Sequence, residues 1–151
     1  MPRVDPAALP TYDGPDAAAP FAGPLGDYIG RAVSVAHGLH LLGINIETLR
    51  PGAASSHRHW HDTNEEVVVV TDGTLVLIDD SGATELCVGD VAVFPANDGN
   101  GHCLENRSAF DATFVVIGTR KEGDTCHYAD IDLIAQSDGT LTRRDGSPAT
   151  P

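Results

Sequence analysis

Three histidines occupy alternate positions in the segment SSHRHWHDTNEEVVVV, at His57, His59 and His61. Side chains two residues apart on a β-strand project to the same face, so these imidazoles would converge on one side. Arg58 and Trp60 would then face the opposite way. Neutral imidazoles are common ligands of divalent transition metals. The spacing therefore predicts a histidine-based metal site.

Two later segments could complete such a site. Glu65 and Glu66 follow the turn DTN, and a carboxylate there could reach the metal from the neighbouring strand, although spacing alone does not choose between the two. His102 begins a candidate strand after a glycine-rich loop. If that strand pairs with the histidine strand, His102 adds another imidazole.

The elements that would position these residues are short strands. From residue 31 onward, apolar runs alternate with turns rich in Gly, Asp, Asn and Pro; the runs are RAVSVAHG, LLGINIETL, EEVVVV, TLVLIDD, TELCV, VAVF, HCLEN, FDATFVVIGT and TLTRRDG. Helical segments do not alternate with them, which argues against a parallel α/β sheet. The pattern predicts an all-β sandwich or small barrel.

Composition excludes several classes of partner. The 22 acidic and 9 basic residues give a formal charge of −13, which argues against nucleic acids and anionic membranes as partners. No stretch reaches the roughly 18 apolar residues that span a bilayer. The N-terminus lacks the pattern of a signal peptide.

Cys87, Cys103 and Cys126 form no CxxC pair and predict reduced thiols in a cytoplasmic protein. Cys126 and His127, two isolated residues, do not predict a second metal site.

These residues resemble the two motifs of the cupin superfamily. The first motif, His-x-His, four residues, Glu, six residues and Gly, is matched by His59, His61, Glu66 and Gly73. The second, Gly, five residues, Pro-x-Gly, a short loop, His, three residues and Asn, is matched by Gly89, Pro95, His102 and Asn106. Asn97 replaces the glycine of Pro-x-Gly, and the loop before His102 is two residues longer. More narrowly, RHWH and NGHxLxNRS resemble single-domain bacterial cupins labelled sugar-phosphate isomerase-like.

The resemblance implies an all-β fold, the cupin double-stranded β-helix or jelly-roll barrel of two antiparallel sheets. It also implies one divalent transition metal (Zn, Mn, Fe, Ni, Co or Cu) held by His59, His61, Glu66 and His102; the gap to Gly73 selects Glu66. We expect a Pro/Ala/Gly-rich N-terminal arm at 1–30, the barrel at 31–145 and a C-terminal tail at 146–151. Cupins commonly pair through such arms and sheet edges, which implies a homodimer.

Acid–base chemistry at this site is assigned to Glu66, His57 and Asp98. His57 shares the ligand face, and Asp98 lies in the loop NDGNG, which would stand at the mouth of the barrel. Each of these two residues also has a purely structural explanation in place of a catalytic one. His57 lies just after a Pro-Gly turn, and aspartate favours turns for reasons of its backbone alone.

Three functions fit a metal centre with open positions and a small-molecule substrate. The first is a non-redox isomerase, epimerase or lyase whose metal polarises a carbonyl. The second is an Fe(II)-dependent dioxygenase, and the third is a non-enzymatic module that binds a small ligand or a metal. The group's label implies a phosphorylated sugar, but a neutral or weakly acidic small molecule fits the negative charge of the chain at least as well. Of the plausible phosphate-binding arginines, Arg50, Arg58 and Arg107, the last two face outward by parity.

Overall fold

The computed structural model describes residues 3–13 and 18–150. In these ranges a 3-10 helix at Pro6–Ala8 and two one-turn helices, α1 (Ala19–Ala22) and α2 (Val33–Ala36), accompany the strands. The strands are β1 (Thr11–Tyr12), β2 (Tyr28–Ala32), β3 (Leu42–Leu49), β4 (His59–His61), β5 (Glu66–Asp72), β6 (Thr74–Asp79), β7 (Gly82–Cys87), β8 (Val91–Phe94), β9 (Cys103–Glu105), β10 (Ala112–Thr119), β11 (Thr125–Tyr128), β12 (Ile134–Gln136) and β13 (Leu141–Thr142). No helix within these ranges has the length and apolar character needed to cross a membrane.

The strands form antiparallel sheets in two layers. One layer is a six-stranded sheet in the order β1-β2-β3-β10-β5-β8. The other consists of β13-β12-β11-β4 and β7-β6-β9, which are joined by isolated bridges between His59 and His102 and between Ala54 and Glu105. The all-β, antiparallel prediction is confirmed.

The main core fills the space between the layers. Val68 and Val70 of β5, Phe114 of β10 and Leu49 of β3 are buried there. Because side chains alternate along a strand, the residues between these positions point outward. The register aligns them in two rows across four strands, Ile44–Ile117–Val67–Val93 and Ile46–Val115–Val69–Val91. We call these eight residues the aliphatic outer face.

The predicted strands differ from the structure in two places. RAVSVAHG was expected to be extended, but the strand ends at Ala32 and α2 follows. Tertiary contacts outweigh the β-propensity of its valines, because the fully buried Ser34 turns inward and its Oγ accepts a hydrogen bond from Ile44 N–H at 2.7 Å. Strands β11 and β12 were missed, since each is at most four residues long and neither shows apolar alternation.

The N-terminal segment continues the six-stranded sheet. β1 pairs with β2, and β2 pairs with β3, so the predicted boundary between residues 30 and 31 falls inside β2. The ring of Tyr12 lies over Gly30, where a Cβ would overlap it. Glycine is therefore required at this position. At the other end, Ala149 N–H donates to Leu141 O at 2.9 Å, so the predicted tail stays bonded to β13.

Candidate metal centre

Three of the predicted ligands meet in the cavity between the layers. His59 lies on β4, Glu66 begins β5, and His102 immediately precedes β9. The Glu66 Oε2 atom is 3.3 Å from His102 Nε2 and 3.9 Å from His59 Nε2. One potential ligand atom from each residue lies within 4.8 Å of the others. The structure thus brings two imidazoles and a carboxylate from separate segments to one point.

The charges of this cluster suit a cation. Burial, chiefly, lowers the pKa of His59 to about 4, so its ring is neutral at pH 7. Burial alone would raise the pKa of Glu66, but the hydrogen bond from His102 and the neighbouring imidazoles lower it to about 2. At neutral pH the cluster therefore offers a lone pair on His59 and an ionised carboxylate.

His61 is the fourth predicted ligand, and Asp124 holds it. The His61 Nδ1–H donates to Asp124 Oδ2 at 2.6 Å, which leaves Nε2 with its lone pair. Asp124 Oδ1 accepts the main-chain N–H groups of Thr63 and Asn64. Burial raises the pKa of Asp124, but these hydrogen bonds outweigh it and the net direction is downward. A carboxylate that orients a histidine in this way is typical of metal sites.

His61 groups with His59 and Cys126 rather than with Glu66 and His102. One ligand atom from each of these three residues lies within 4.8 Å of the others. The strand pairing of β4 with β11 sets Cys126 directly opposite His61. The sequence alone gives no role to Asp124 and argues against Cys126 as a ligand, because β11 carries no recognisable strand pattern that would bring them to the histidines.

Two further contacts fix the imidazole rings. The Nδ1–H of His59 donates to the main-chain carbonyl of His57 at 3.0 Å. The ring of Phe94 stacks on His102, with centroids 3.6 Å apart and planes 3° from parallel. His102 Nδ1 is buried and has no hydrogen-bond partner among the described residues.

The two other proposed acid–base residues lie outside the cavity lining. His57 is in the bend before β4, and it is its carbonyl that contacts His59. Asp98 is exposed and accepts the main-chain N–H of Asn100 at 3.0 Å, as in an Asx turn. The role assigned to each of them stays a prediction.

Arg58 and Trp60 lie on the side of the histidine segment opposite the ligands, as the alternation predicts. Arg58 forms a two-bond ion pair with Asp130, at 2.9 and 3.0 Å. Trp60 stacks on His127 with ring centroids 4.0 Å apart. These contacts hold β4 in place and agree with the alternation read from the sequence.

The cavity next to the cluster has a volume of about 290 Å³. Besides His59, Glu66 and His102, its walls include Asn45 and Glu47 of β3, and Arg120. Alternation along LLGINIETL predicts that Asn45 and Glu47 lie on the face opposite Ile44 and Ile46, and it assigns them no role. The structure turns this polar face inward and the aliphatic one outward.

Glu47 is a second carboxyl group in the cavity wall. It accepts a hydrogen bond from Tyr12 Oη at 3.1 Å. Burial raises the pKa of Glu47 to about 7, the hydrogen bond from Tyr12 opposes this, and the charge of Glu66 adds to it. Burial, followed by the charge of Glu47, also raises the pKa of Tyr12. The carboxyl group therefore changes protonation state near neutral pH.

Comparison with known proteins agrees with this geometry. A family model described as Cupin domain matches residues 45–118. A crystal structure from Silicibacter pomeroyi, described as a sugar phosphate isomerase from a cupin superfamily, is 39% identical and covers 99% of this chain and 97% of its own, with a TM-score of 0.85. The chain belongs to the cupin superfamily.

Two more distant structures share the cupin fold with this chain. One, from Acidithiobacillus ferrooxidans, is 23% identical over 87% of this cupin and 85% of its own chain, with a TM-score of 0.77. The other, a polyketide cyclase from Streptomyces resistomycificus, is 17% identical over 80% of both chains, with a TM-score of 0.66. At these identities the comparison supports the fold and no more. A search of curated proteins found no match.

Proposed function

We propose that this cupin is a metal-dependent, non-redox enzyme of the isomerase, epimerase or lyase type that acts on a small phosphorylated sugar. One observation carries the proposal: a single cavity is lined by a cluster of metal-binding groups and by Glu47, a carboxyl group that ionises near neutral pH. The 39% identical relative described as a sugar phosphate isomerase supports the substrate class.

His59, Glu66 and His102, which already lie together, would hold the metal, and His61 would turn its Nε2 atom toward them as the fourth ligand. The donor set fits a divalent transition metal, because it offers imidazole nitrogens and one ionised carboxylate. A cation bound there would supply Lewis-acid polarisation of a substrate carbonyl.

The chain's own residues would move the proton. Glu47 has a pKa of about 7, so near that pH it can take a proton from the carbon beside a carbonyl and return it elsewhere. Tyr12 donates to Glu47 and orients its carboxyl group. Glu66 stays ionised because its pKa is about 2, which suits a ligand better than a proton donor.

Arg120 would bind the phosphate. It is an exposed residue at the end of β10, and it is part of the cavity lining. In the described part of the chain its guanidinium group has no ion-pair partner. The three arginines considered earlier are paired instead, Arg50 with Asp111, Arg58 with Asp130 and Arg107 with Glu105. Guanidinium groups bind phosphate through paired hydrogen bonds.

The test begins with chelator-treated protein reloaded with Zn²⁺, Mn²⁺, Co²⁺, Ni²⁺ or Fe²⁺ under argon. Each form is incubated with hexose and pentose phosphates in D₂O and followed by proton NMR. Deuterium uptake beside the carbonyl, absent in the chelated protein, is the expected result. Oxygen consumption with Fe²⁺ would show a dioxygenase instead. Binding without exchange for every metal and sugar would show a non-enzymatic module.

Two variants connect the activity with the cluster. His59→Ala and His102→Ala should each lose most of the bound metal, measured by mass spectrometry, and all exchange. Trp60→Phe should retain both, because Trp60 stacks on His127 on the opposite face. Full metal occupancy in both alanine variants would place the metal site elsewhere.

We also propose that the chain forms a cytoplasmic homodimer through the aliphatic outer face. None of its eight residues belongs to either buried core cluster, and Val91 and Val93 are 57% and 64% exposed. In a chain of charge −13, contact through these eight uncharged side chains avoids repulsion between like charges. Homodimer interfaces are typically rich in such side chains.

A further inference from the structure

We propose that His59, His61 and Cys126 form a second, thiolate-containing metal-binding group, which takes soft cations. It competes for His59 and His61 with the first group, the proposed metal centre of His59, His61, Glu66 and His102. The inference rests on the proposed function only because the two groups share these two histidines. Neither the sequence motifs nor the family resemblance assigns Cys126 a role.

The strand pairing places these three side chains together. His59 and His61 are two residues apart on β4, so they share a face. Cys126 of β11 lies directly opposite His61, and residues directly opposite each other in an antiparallel pair also share a face. The potential ligand atoms all lie within 4.8 Å of one another, and the three residues are half-buried.

The three side chains are farther apart than the ligands of a bound ion, by a modest amount. Tetrahedral zinc binds nitrogen at about 2.1 Å and sulfur at about 2.3 Å, so two of its ligand atoms stand about 3.6 Å apart. The ligand atoms of the group, which lie within 4.8 Å of one another, would have to approach by up to about 1 Å. A small rotation of the side chains would close the group around an ion. His61 is already oriented for this, because Asp124 holds its Nδ1–H and leaves Nε2 to bind.

The two groups differ in the chemistry of one donor. The first group contributes the carboxylate oxygen of Glu66, and the second contributes the sulfur of Cys126. Thiolates select soft cations such as Zn²⁺, Cd²⁺ and Cu⁺, whereas carboxylates suit Mn²⁺ and Mg²⁺. His59 and His61 are common to both groups, so a cation bound in one of them withdraws two ligands from the other.

The remaining cysteines provide matched controls. Cys103 is buried, and burial raises the pKa of its thiol to about 12, which disfavours the thiolate. Cys87 is exposed at the end of β7. Neither belongs to a potential metal-binding group in the part of the chain that the structure describes.

The experiment titrates Cd²⁺ into full-length, chelator-treated protein and records the ultraviolet thiolate-to-cadmium charge-transfer band. The band should appear in the wild type and in Cys87→Ser and Cys103→Ser, and should be lost in Cys126→Ser. It should persist in His102→Ala and be lost or strongly weakened in His61→Ala. Cys126→Ala should lose the band as Cys126→Ser does. A thermal melt of each variant shows whether any loss is due to unfolding.

A second cation separates this inference from the proposed function. Mn²⁺ binding, followed by electron paramagnetic resonance, should survive Cys126→Ser and be lost in His102→Ala. A cadmium band that survives Cys126→Ser, or Cd²⁺ binding without a thiolate band, would overturn the inference and leave the first group untouched. If the cadmium band depends on Cys126 but none of the five metals of the exchange test binds in a way that His102→Ala abolishes, the inference stands and the proposed metal centre fails.

Discussion

His59 and His102 face each other across an antiparallel bridge, in which each main-chain N–H donates to the other residue's carbonyl, at 3.1 and 3.0 Å. Their ring centroids are 4.9 Å apart as a result. Main-chain hydrogen bonds therefore set the spacing of these two imidazoles, and the folded chain can present them before any ion binds.

Replacing Asp124 should weaken the metal site without removing a ligand. Asp124→Asn can no longer hold the His61 Nδ1–H as a carboxylate does, so the ring is free to adopt the wrong tautomer. We expect the affinity for Zn²⁺, measured by calorimetry, to fall about 10–100-fold. Asp98→Asn, on an exposed turn, is the matched control and should bind as the wild type does. Equal affinities in the two variants would contradict the role given to Asp124.

Glu47 should make the stability of the metal-free protein depend on pH. The folded-state pKa of about 7 lies above the ordinary value of 4.5, so the folded state holds the proton more tightly. This contribution to stability, up to about 3 kcal/mol, is complete below pH 4.5 and is lost as the pH rises to 7.

Denaturant unfolding of the Glu47→Gln variant at several pH values isolates this effect. The free energy of unfolding of the variant, minus that of the wild type, should rise between pH 4.5 and 7 and then level off. The exposed Glu85→Gln serves as the control and should give a flat difference. In the exchange assay, Glu47→Gln should lower the rate by about 10²–10⁴-fold, and an unchanged rate would remove Glu47 from the mechanism.

Arg120 should distinguish phosphorylated from unphosphorylated sugars. Arg120→Met loses hydrogen bonds to a charged group worth about 1.5–3 kcal/mol, so KM for a hexose phosphate should rise about 10–100-fold. KM for the free hexose should not change. Arg107→Met, which removes only the pair with Glu105, should leave both values alone. A similar rise in KM for both sugars would argue against a phosphate-binding role.

The aliphatic outer face should determine the oligomeric state. Val93→Asp would place a charge in the contact between two copies, and sedimentation at micromolar concentration should then show a monomer. Val88→Asp is the matched control, because Val88 is 61% exposed but lies between β7 and β8, outside this face. The wild type and the control should sediment as dimers, and a monomeric wild type would refute the proposal.

Much of the fold and the first group of ligands could be predicted because their signals are local. Alternation aligns His59 with His61, and runs of branched residues mark β5 and β10. The departure at Asn97 also has a local explanation, since its φ of 57° is left-handed and asparagine tolerates that conformation better than most residues. It can therefore stand where the motif has glycine.

The remaining site residues depend on long-range pairing. Cys126 and Asp124 reach the histidines only because β11 pairs with β4, and the sequence around β11 gives no sign of a strand. Glu47 was read as facing away from the apolar side of β3, which is correct. Which side of this strand faces the cavity depends on the partner layer, and periodicity within one segment does not contain that information.

The hydrogen bond from Tyr12 to Glu47 has a consequence for motion. Tyr12 belongs to β1, a two-residue strand at the edge of its sheet, and such short edge strands open locally at far less cost than global unfolding. Each opening hydrates Glu47 and lets its proton leave more easily. A ligand that binds the neutral carboxyl group therefore also holds β1 closed. It would slow the amide hydrogen exchange of this strand, although the strand lies outside the cavity.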